Sequence, residues 1–175
     1  MKMRMEGNRL VDRSIHWIQE RQREDGGWLH RSTIPARKNY DKAESCIWTT
    51  AEVVNMLAAR KSFRRTALAR KACDFLLDRT LKPNTDRLFP SVEAWDHLAI
   101  GQGQDSMFSG GTLKVLEGAV DCGFDLGDTR IMKLYDWLLS IQMENGYFPR
   151  ITGKMPIADG LVTARALNVI RKLRS

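Results

Sequence analysis

One phrase occurs twice in this chain, and its repetition constrains the fold more than any other feature of the sequence. Residues 22–28 read QREDGGW and residues 142–148 read QMENGYF, so Gln, an acid, Gly and an aromatic residue recur 120 positions apart. A Trp stands five residues before each Gln, and Phe75 occupies the matching place in a third helical stretch. Trp17, Phe75 and Trp137 are therefore separated by 58 and 62 residues. Periods of this size indicate stacked supersecondary units.

Helical periodicity dominates each of the three units. The first helix of each unit carries one apolar stripe opposite a charged face, which is typical of a helix with one side in water. The segments that follow, at 46–59, 107–120 and 160–170, are apolar over most of their circumference, which indicates inner helices buried on both sides. We therefore predict an all-α fold of three antiparallel helical hairpins in two layers. The hairpins span about residues 9–60, 64–123 and 128–173 of a single domain.

The repeated phrase itself is typical of a helix end. Asp25-Gly26 and Asn145-Gly146 tolerate positive φ, the conformation in which a helix commonly stops, and the aromatic residue beyond can fold back over the last turn. A catalytic role for Asp25 would require a partner acid or base, and the second copy has only an amide there. We interpret six residues as structural parts of the repeat: Gln22, Gly26, Trp28, Gln142, Gly146 and Phe148.

A helix that ends in Gln, followed by an acid, Gly and Trp and then by an inner helix opening with Thr-Ala, resembles the QW repeats of the squalene-hopene and oxidosqualene cyclases. Protein prenyltransferase β subunits share the same α/α toroid. The resemblance covers residues 9–173 and implies that the Gln and aromatic residues tie helix ends together. Three hairpins make about half of such a ring. The resemblance therefore implies self-association, or a partner protein that completes the ring.

The chemistry of those families depends on residues that this chain lacks. The cyclases place an Asp-x-Asp-Asp motif before the Thr-Ala pair, and its middle Asp protonates the substrate. Trp48, Phe108 and Leu161 stand at that position here, and only Asp159 matches any acid of the motif. An apolar side chain cannot donate the proton, so class II cyclisation is not expected. The histidines have no zinc-ligand spacing with a Cys, and we expect neither a metal nor another cofactor.

Two sets of side chains are nevertheless candidates for a site. Asp159 and Ser45 precede inner helices as ordinary N-cap residues, although the N-termini of three inner helices together could also hold an anion. The polar and aromatic stretch 88–108 and the connection before Cys46 supply further groups that suit acid–base chemistry or a ligand. The weak catalytic candidates are Glu44, Asp96, His97, Asp105 and Asp159, and the candidates for ligand binding are Trp48, Trp95, Phe108 and Tyr40.

Two functions remain open from the sequence. The first is a binding or accessory module for an apolar or glycan ligand or for a partner protein. The alternative is an enzyme that acts on an isoprenoid or saccharide by carboxylate acid–base chemistry. The net charge of +7 permits an anionic partner, but no nucleic-acid motif is present and nucleic acid is not an expected partner. Three scattered cysteines and the absence of a long apolar run predict a cytoplasmic protein without a transmembrane segment.

Overall fold

The computed structural model of this chain describes residues 9–30, 43–83, 95, 98, 111–150, 152 and 156–175. This part of the chain forms six α-helices and no strand, with two isolated backbone bridges, so the all-α prediction is confirmed. The helices are α1 (Arg9–Gln19), α2 (Ile47–Ala58), α3 (Ala67–Leu77), α4 (Gly111–Asp121), α5 (Thr129–Ser140) and α6 (Gly160–Leu173).

Helix α4 lies at the centre of the packing. It contacts α2 on one side and α6 on the other, so these three helices form a continuous inner row. Helix α3 packs against both α2 and α4, and α5 packs against α4. Leu113, Val115 and Leu116 of α4 are fully buried among these neighbours, whereas Lys114, Glu117 and Asp121 share a side that is only half-buried.

Side chains just before the helices cap four of the N-termini. Thr66, Asp128 and Asp159 accept hydrogen bonds from backbone N–H groups in the first turns of α3, α5 and α6. Helix α2 differs from expectation, because the Cys46 thiol is its cap and accepts from the N–H of Thr49. The neighbouring Ser45 hydroxyl instead donates to the Asp25 carboxylate at 2.8 Å. Each cap satisfies a donor that the helix leaves without an internal partner.

The three outer helices are buried to different degrees. Helix α3 buries six residues and α5 buries four, whereas α1 has no buried residue. The matching aromatic residues follow the same trend, since Phe75 is 3% exposed, Trp137 is half-buried and Trp17 is 56% exposed. Helix α1 therefore lies at one margin of the packed core.

The prediction that every inner helix is buried on both sides holds only for α4. It is wrong for α6, in which Leu161 is 58% exposed and Leu167 is 49% exposed. It also fails for one side of α2, where Met56 is 45% exposed, although Val54 is completely buried. The physical reason is the number of neighbours, because α2 and α6 each have only one inner helix beside them within the described chain.

Candidate functional site

The glutamines of the repeated phrase tie helix ends to the turns that follow. Gln22 Nε2 donates to the carbonyl oxygens of Gly26 and Leu68, both at 2.9 Å, and the second bond reaches into α3. Gln142 Nε2 makes the corresponding bond to the carbonyl of Gly146, also at 2.9 Å. Both glycines have positive φ, 93° and 83°. These contacts are what a helix terminator requires, and they leave both amide groups engaged in structure.

A threonine of each following inner helix completes the tie. The backbone N–H of Trp28 donates to Thr50 Oγ1 at 3.0 Å, and that of Phe148 donates to Thr163 Oγ1 at 2.9 Å. Each hydroxyl in turn donates to the carbonyl four residues earlier at 2.7 Å. Thr112 is buried in α4 and its hydroxyl has no hydrogen-bond partner in the described part.

The contacts between inner helices keep one register. Asn55 and Glu117 each lie five residues after the threonine of their helix, and Lys114 and Arg165 each lie two residues after theirs, if Thr112 corresponds to Thr50 and Thr163. Asn55 Nδ2 donates to the Lys114 carbonyl at 3.0 Å, while Arg165 donates to Glu117 at 2.9 and 2.5 Å. The α2–α4 and α4–α6 junctions thus share one helix register, with an amide-to-carbonyl bond in the first and an ion pair in the second. This register differs by two residues from the match that the resemblance implies, because Phe108 lies four residues before Thr112, whereas Trp48 and Leu161 lie two before Thr50 and Thr163.

Each inner helix has a forward face, which in α2 and α4 contacts the next hairpin. We take Thr50, Thr112 and Thr163 as the reference threonines of α2, α4 and α6. One and four residues after its reference threonine, each helix carries apolar side chains on the forward face. In α2 and α4 these side chains are buried, and in α6 they are exposed. They are Ala51 and Val54 in α2, Leu113 and Leu116 in α4, and Ala164 and Leu167 in α6.

The opposite face of each inner helix, the back face, shows the reverse pattern of burial. Three and six residues after the reference threonine, α4 and α6 are buried against the preceding hairpin, whereas the matching residues of α2 are half-buried or exposed. Packing at the α2–α4 junction is close, since a Cβ on Gly118 would lie 2.9 Å from Val54 Cγ1. The residues are Val53 and Met56 in α2, Val115 and Gly118 in α4, and Ala166 and Val169 in α6.

Of the catalytic candidates, Asp159 is placed at a helix end. It accepts from the N–H of Val162 at 2.9 Å and pairs with Arg150, also at 2.9 Å. The hydrogen bond from Val162 and the Arg150 guanidinium hold the pKa of this carboxyl below its usual range. Glu44 is exposed. Asp96, His97 and Asp105 lie outside the described residues, and no metal-ligating group of three side chains is assembled within them.

The aromatic candidates are divided between core and surface. Trp95 is fully buried, and its indole donates to the Lys82 carbonyl at 3.2 Å. Trp48 is half-buried and packs edge-to-face with His30, with ring centroids 5.5 Å apart. Tyr40 and Phe108 lie outside the described residues. A ligand-binding role for these side chains therefore stays a prediction.

Two cavities of the described part have a different character from an aromatic pocket. One of about 240 Å³ is lined by Arg64, Arg65 and Arg70, and the Arg70 guanidinium lies 5.0 Å from the centre of the Phe124 ring. The other, of about 230 Å³, lies between α1 and the α2–α3 connection. Next to the first cavity, Cys73 and Cys122 form a buried thiol pair. The hydrogen bond to Cys122 and burial raise the pKa of Cys73.

No helix within the described ranges has both the length and the apolar character needed to cross a membrane. Among the exposed large apolar residues, Leu161 and Leu167 lie on the forward face of α6 and Met56 lies on the back face of α2. The others lie on α1, on α5 and in the connection before α6, and they are Leu10, Trp17, Met132, Tyr147 and Ile157. No family model, curated protein or solved structure matches this chain.

Proposed function

We propose that this chain is a helical-repeat binding module that docks a partner protein through the forward face of α6. The observation that carries the proposal is the exposure of Leu161, Ala164 and Leu167, which follow one another at helical spacing along one side of α6. The residues of α2 and α4 that match Ala164 and Leu167 are buried. Covering a leucine fully contributes about 1.5–3 kcal/mol, so this stripe favours association.

The shape of this surface favours a protein over a small apolar or glycan ligand. Small molecules bind in concave pockets that enclose most of their surface, whereas the α6 stripe is a ridge on one helix. An amphipathic helix presents such a ridge to a groove or to another helix. The two cavities described above are lined largely by polar groups and do not include Trp48 or Trp95.

The residue types at the proposed docking face also argue against the enzymatic alternative. Leu161 stands where the resembling cyclases carry the protonating acid, and Asp159 is engaged as the N-cap of α6 and with Arg150. A general acid must have a proton to give near the working pH, and the lowered pKa of Asp159 opposes this. A binding or accessory role is therefore the better supported of the two functions.

Site-specific photo-crosslinking tests the proposal. A benzophenone amino acid replaces Leu167 in cells that produce the protein, and the matched control carries the same group at Met132. Met132 lies on α5 and is 45% exposed, a similar fraction to the 49% of Leu167. We expect a defined protein adduct from position 167 that position 132 does not give, with the partner identified by mass spectrometry. The same adducts from both positions, or none from 167, would refute docking through α6.

A further inference from the structure

We infer that the partner is a second copy of this chain, bound head to tail, so that the forward face of α6 packs on the back face of α2 and on α1 of the next copy. This inference rests on the proposed docking through α6. The contacting residues of one copy are Leu161, Ala164 and Leu167, and those of the next are Val53 and Met56 of α2 with Val11, Ile15 and Ile18 of α1.

The first argument is that the two exposed faces correspond to the two sides of a helix register that the chain already uses twice. The forward face of α2 packs on the back face of α4, and the forward face of α4 packs on the back face of α6, in one register. The sides left over are the back face of α2 and the forward face of α6. A surface that fits the back face of α4 is the best template for one that fits the back face of α2.

The outer helices supply an independent argument. Helix α3 packs against α2, the inner helix of the hairpin before it, and α5 packs against α4 in the same way. In both outer helices the inward stripe is buried, whereas the matching stripe of α1 is only half-buried. Part of each buried stripe meets the end of the inner helix that follows, since Cys73 contacts Cys122 and Tyr135 accepts from Arg174. Helices α3 and α5 also have a preceding inner helix beside them, and α1 has no such neighbour within the described chain. The stripes are Val11, Ile15 and Ile18; Ala69, Cys73 and Leu76; and Ile131, Tyr135 and Leu138.

Charge favours head-to-tail over face-to-face pairing. Arg165 and Lys172 of α6 pair with Glu117 and Asp121 of α4, so the exposed cation of α6 is Arg171. Glu52 of α2 pairs with Lys114 of α4, and α2 contains no cation. Two facing α6 helices would bring two Arg171 side chains together, whereas α6 against α2 brings no like charges together. At both junctions, the residue five positions after the threonine of one helix lies against the residue two positions after the threonine of the next helix. The same register places Asn168 of α6 against Glu52 of the next copy. An amide there can donate to the backbone carbonyl, as Asn55 does to Lys114, without repelling the carboxylate.

A head-to-tail contact uses two different surfaces of each copy, so each copy can bind one neighbour at each end. Such heterologous association closes into a ring when the rotation per copy allows it and otherwise extends into a filament. The mass measured by sedimentation therefore shows whether copies associate, and whether they close into a ring of fixed size or extend into a filament.

The test exploits the difference between the two ends. Leu167→Glu removes the forward face, and Met56→Glu removes the back face, with Met132→Glu as the matched control of equal exposure, 45% in both methionines. We expect wild type and Met132→Glu to sediment at no less than twice the chain mass of 20.0 kDa, and each end variant as a monomer. An equimolar mixture of the two end variants retains one intact forward face and one intact back face. It should form a particle of two chains.

Other outcomes overturn the inference. A dimer in which two α6 helices face each other would be lost in Leu167→Glu and kept in Met56→Glu. In the mixture, the Leu167→Glu chains would then stay monomeric. A wild type that stays monomeric excludes the second copy, while crosslinks from position 167 to a different protein would then leave the proposed docking intact. Ala164→Arg provides a second forward-face variant that must behave like Leu167→Glu. Far-UV circular dichroism establishes that each variant remains helical.

Discussion

At the scale of single residues, two glycines share a backbone conformation but not their surroundings. Gly26 has φ of 93° and Gly146 has φ of 83°, values that L side chains rarely adopt. A Cβ on Gly26 would lie 2.3 Å from the carbonyl oxygen of Lys71 in α3. A Cβ on Gly146 would meet nothing within 4 Å. The first turn is packed against α3, and the second is open.

Alanine at these two positions should therefore have unequal effects. Gly146→Ala is expected to lower the free energy of unfolding by about 1–2 kcal/mol, the cost of a left-handed conformation for an L residue. Gly26→Ala adds a clash with backbone and should cost more than about 3 kcal/mol. Urea unfolding of the two single variants measures both changes. Equal losses would show that the Lys71 contact does not constrain the turn.

The positive φ at both glycines could be predicted from the sequence, whereas the close approach of the Lys71 carbonyl to Gly26 could not. Asp-Gly and Asn-Gly after an amphipathic stretch indicate a helix stop from local chemistry alone. The Lys71 carbonyl comes from a helix that begins 41 residues after Gly26, and nothing local to the phrase specifies that approach.

At the scale of one element, the N-terminus of α6 depends on the ionised form of Asp159. This carboxylate accepts from the Val162 N–H and pairs with Arg150, and both contacts favour the charged state. Its pKa is lowered in the folded protein, so folding favours the deprotonated form. The resulting stabilisation is present above the ordinary aspartate value near 3.8 and is lost as the pH falls through the lowered pKa.

Asp159→Asn should keep the cap and remove the charge. At neutral pH we expect the wild type to be more stable than the variant by about 0.3–1 kcal/mol, the usual contribution of an anion at a helix N-terminus. Urea unfolding across pH should show this difference shrinking below about pH 3.8. Thr66→Asn changes the α3 cap without a titratable group and serves as the control. A difference between wild type and Asp159→Asn that does not change with pH would contradict the assignment.

The sequence identified this element and its capping residue but left the role of Asp159 open between a cap and a weak catalytic acid. Helix α2 was less predictable, because Ser45 was the expected cap and Cys46 occupies the position. The two residues are adjacent, and the Asp25 carboxylate, which binds the Ser45 hydroxyl, comes from the preceding turn. A competing tertiary partner thus decided which of two neighbours caps the helix.

At the scale of the whole molecule, the net charge of +7 makes two copies repel each other at long range. The faces proposed to meet are mainly apolar, so their attraction does not depend on ion pairs that salt would screen. Raising the salt concentration from about 0.05 to about 0.5 M should therefore leave the wild-type association unchanged or strengthen it.

Sedimentation at the two salt concentrations measures this effect, and Leu167→Glu should remain monomeric at both. Dissociation of the wild type at high salt would indicate an interface held by charges, and it would contradict packing through Leu161 and Leu167.

The sequence by itself determined that this chain is helical and where several helices stop, because periodicity, capping residues and glycine act over a few neighbouring positions. Only the tertiary structure decided which apolar faces are covered. Leu116 and Leu167 occupy matching places in helices that both read as buried, yet Leu116 is fully buried and Leu167 is 49% exposed. Hydropathy describes what a side chain favours, whereas burial depends on a neighbour being present. Helix α4 has an inner helix on each side and α6 has one within the described chain.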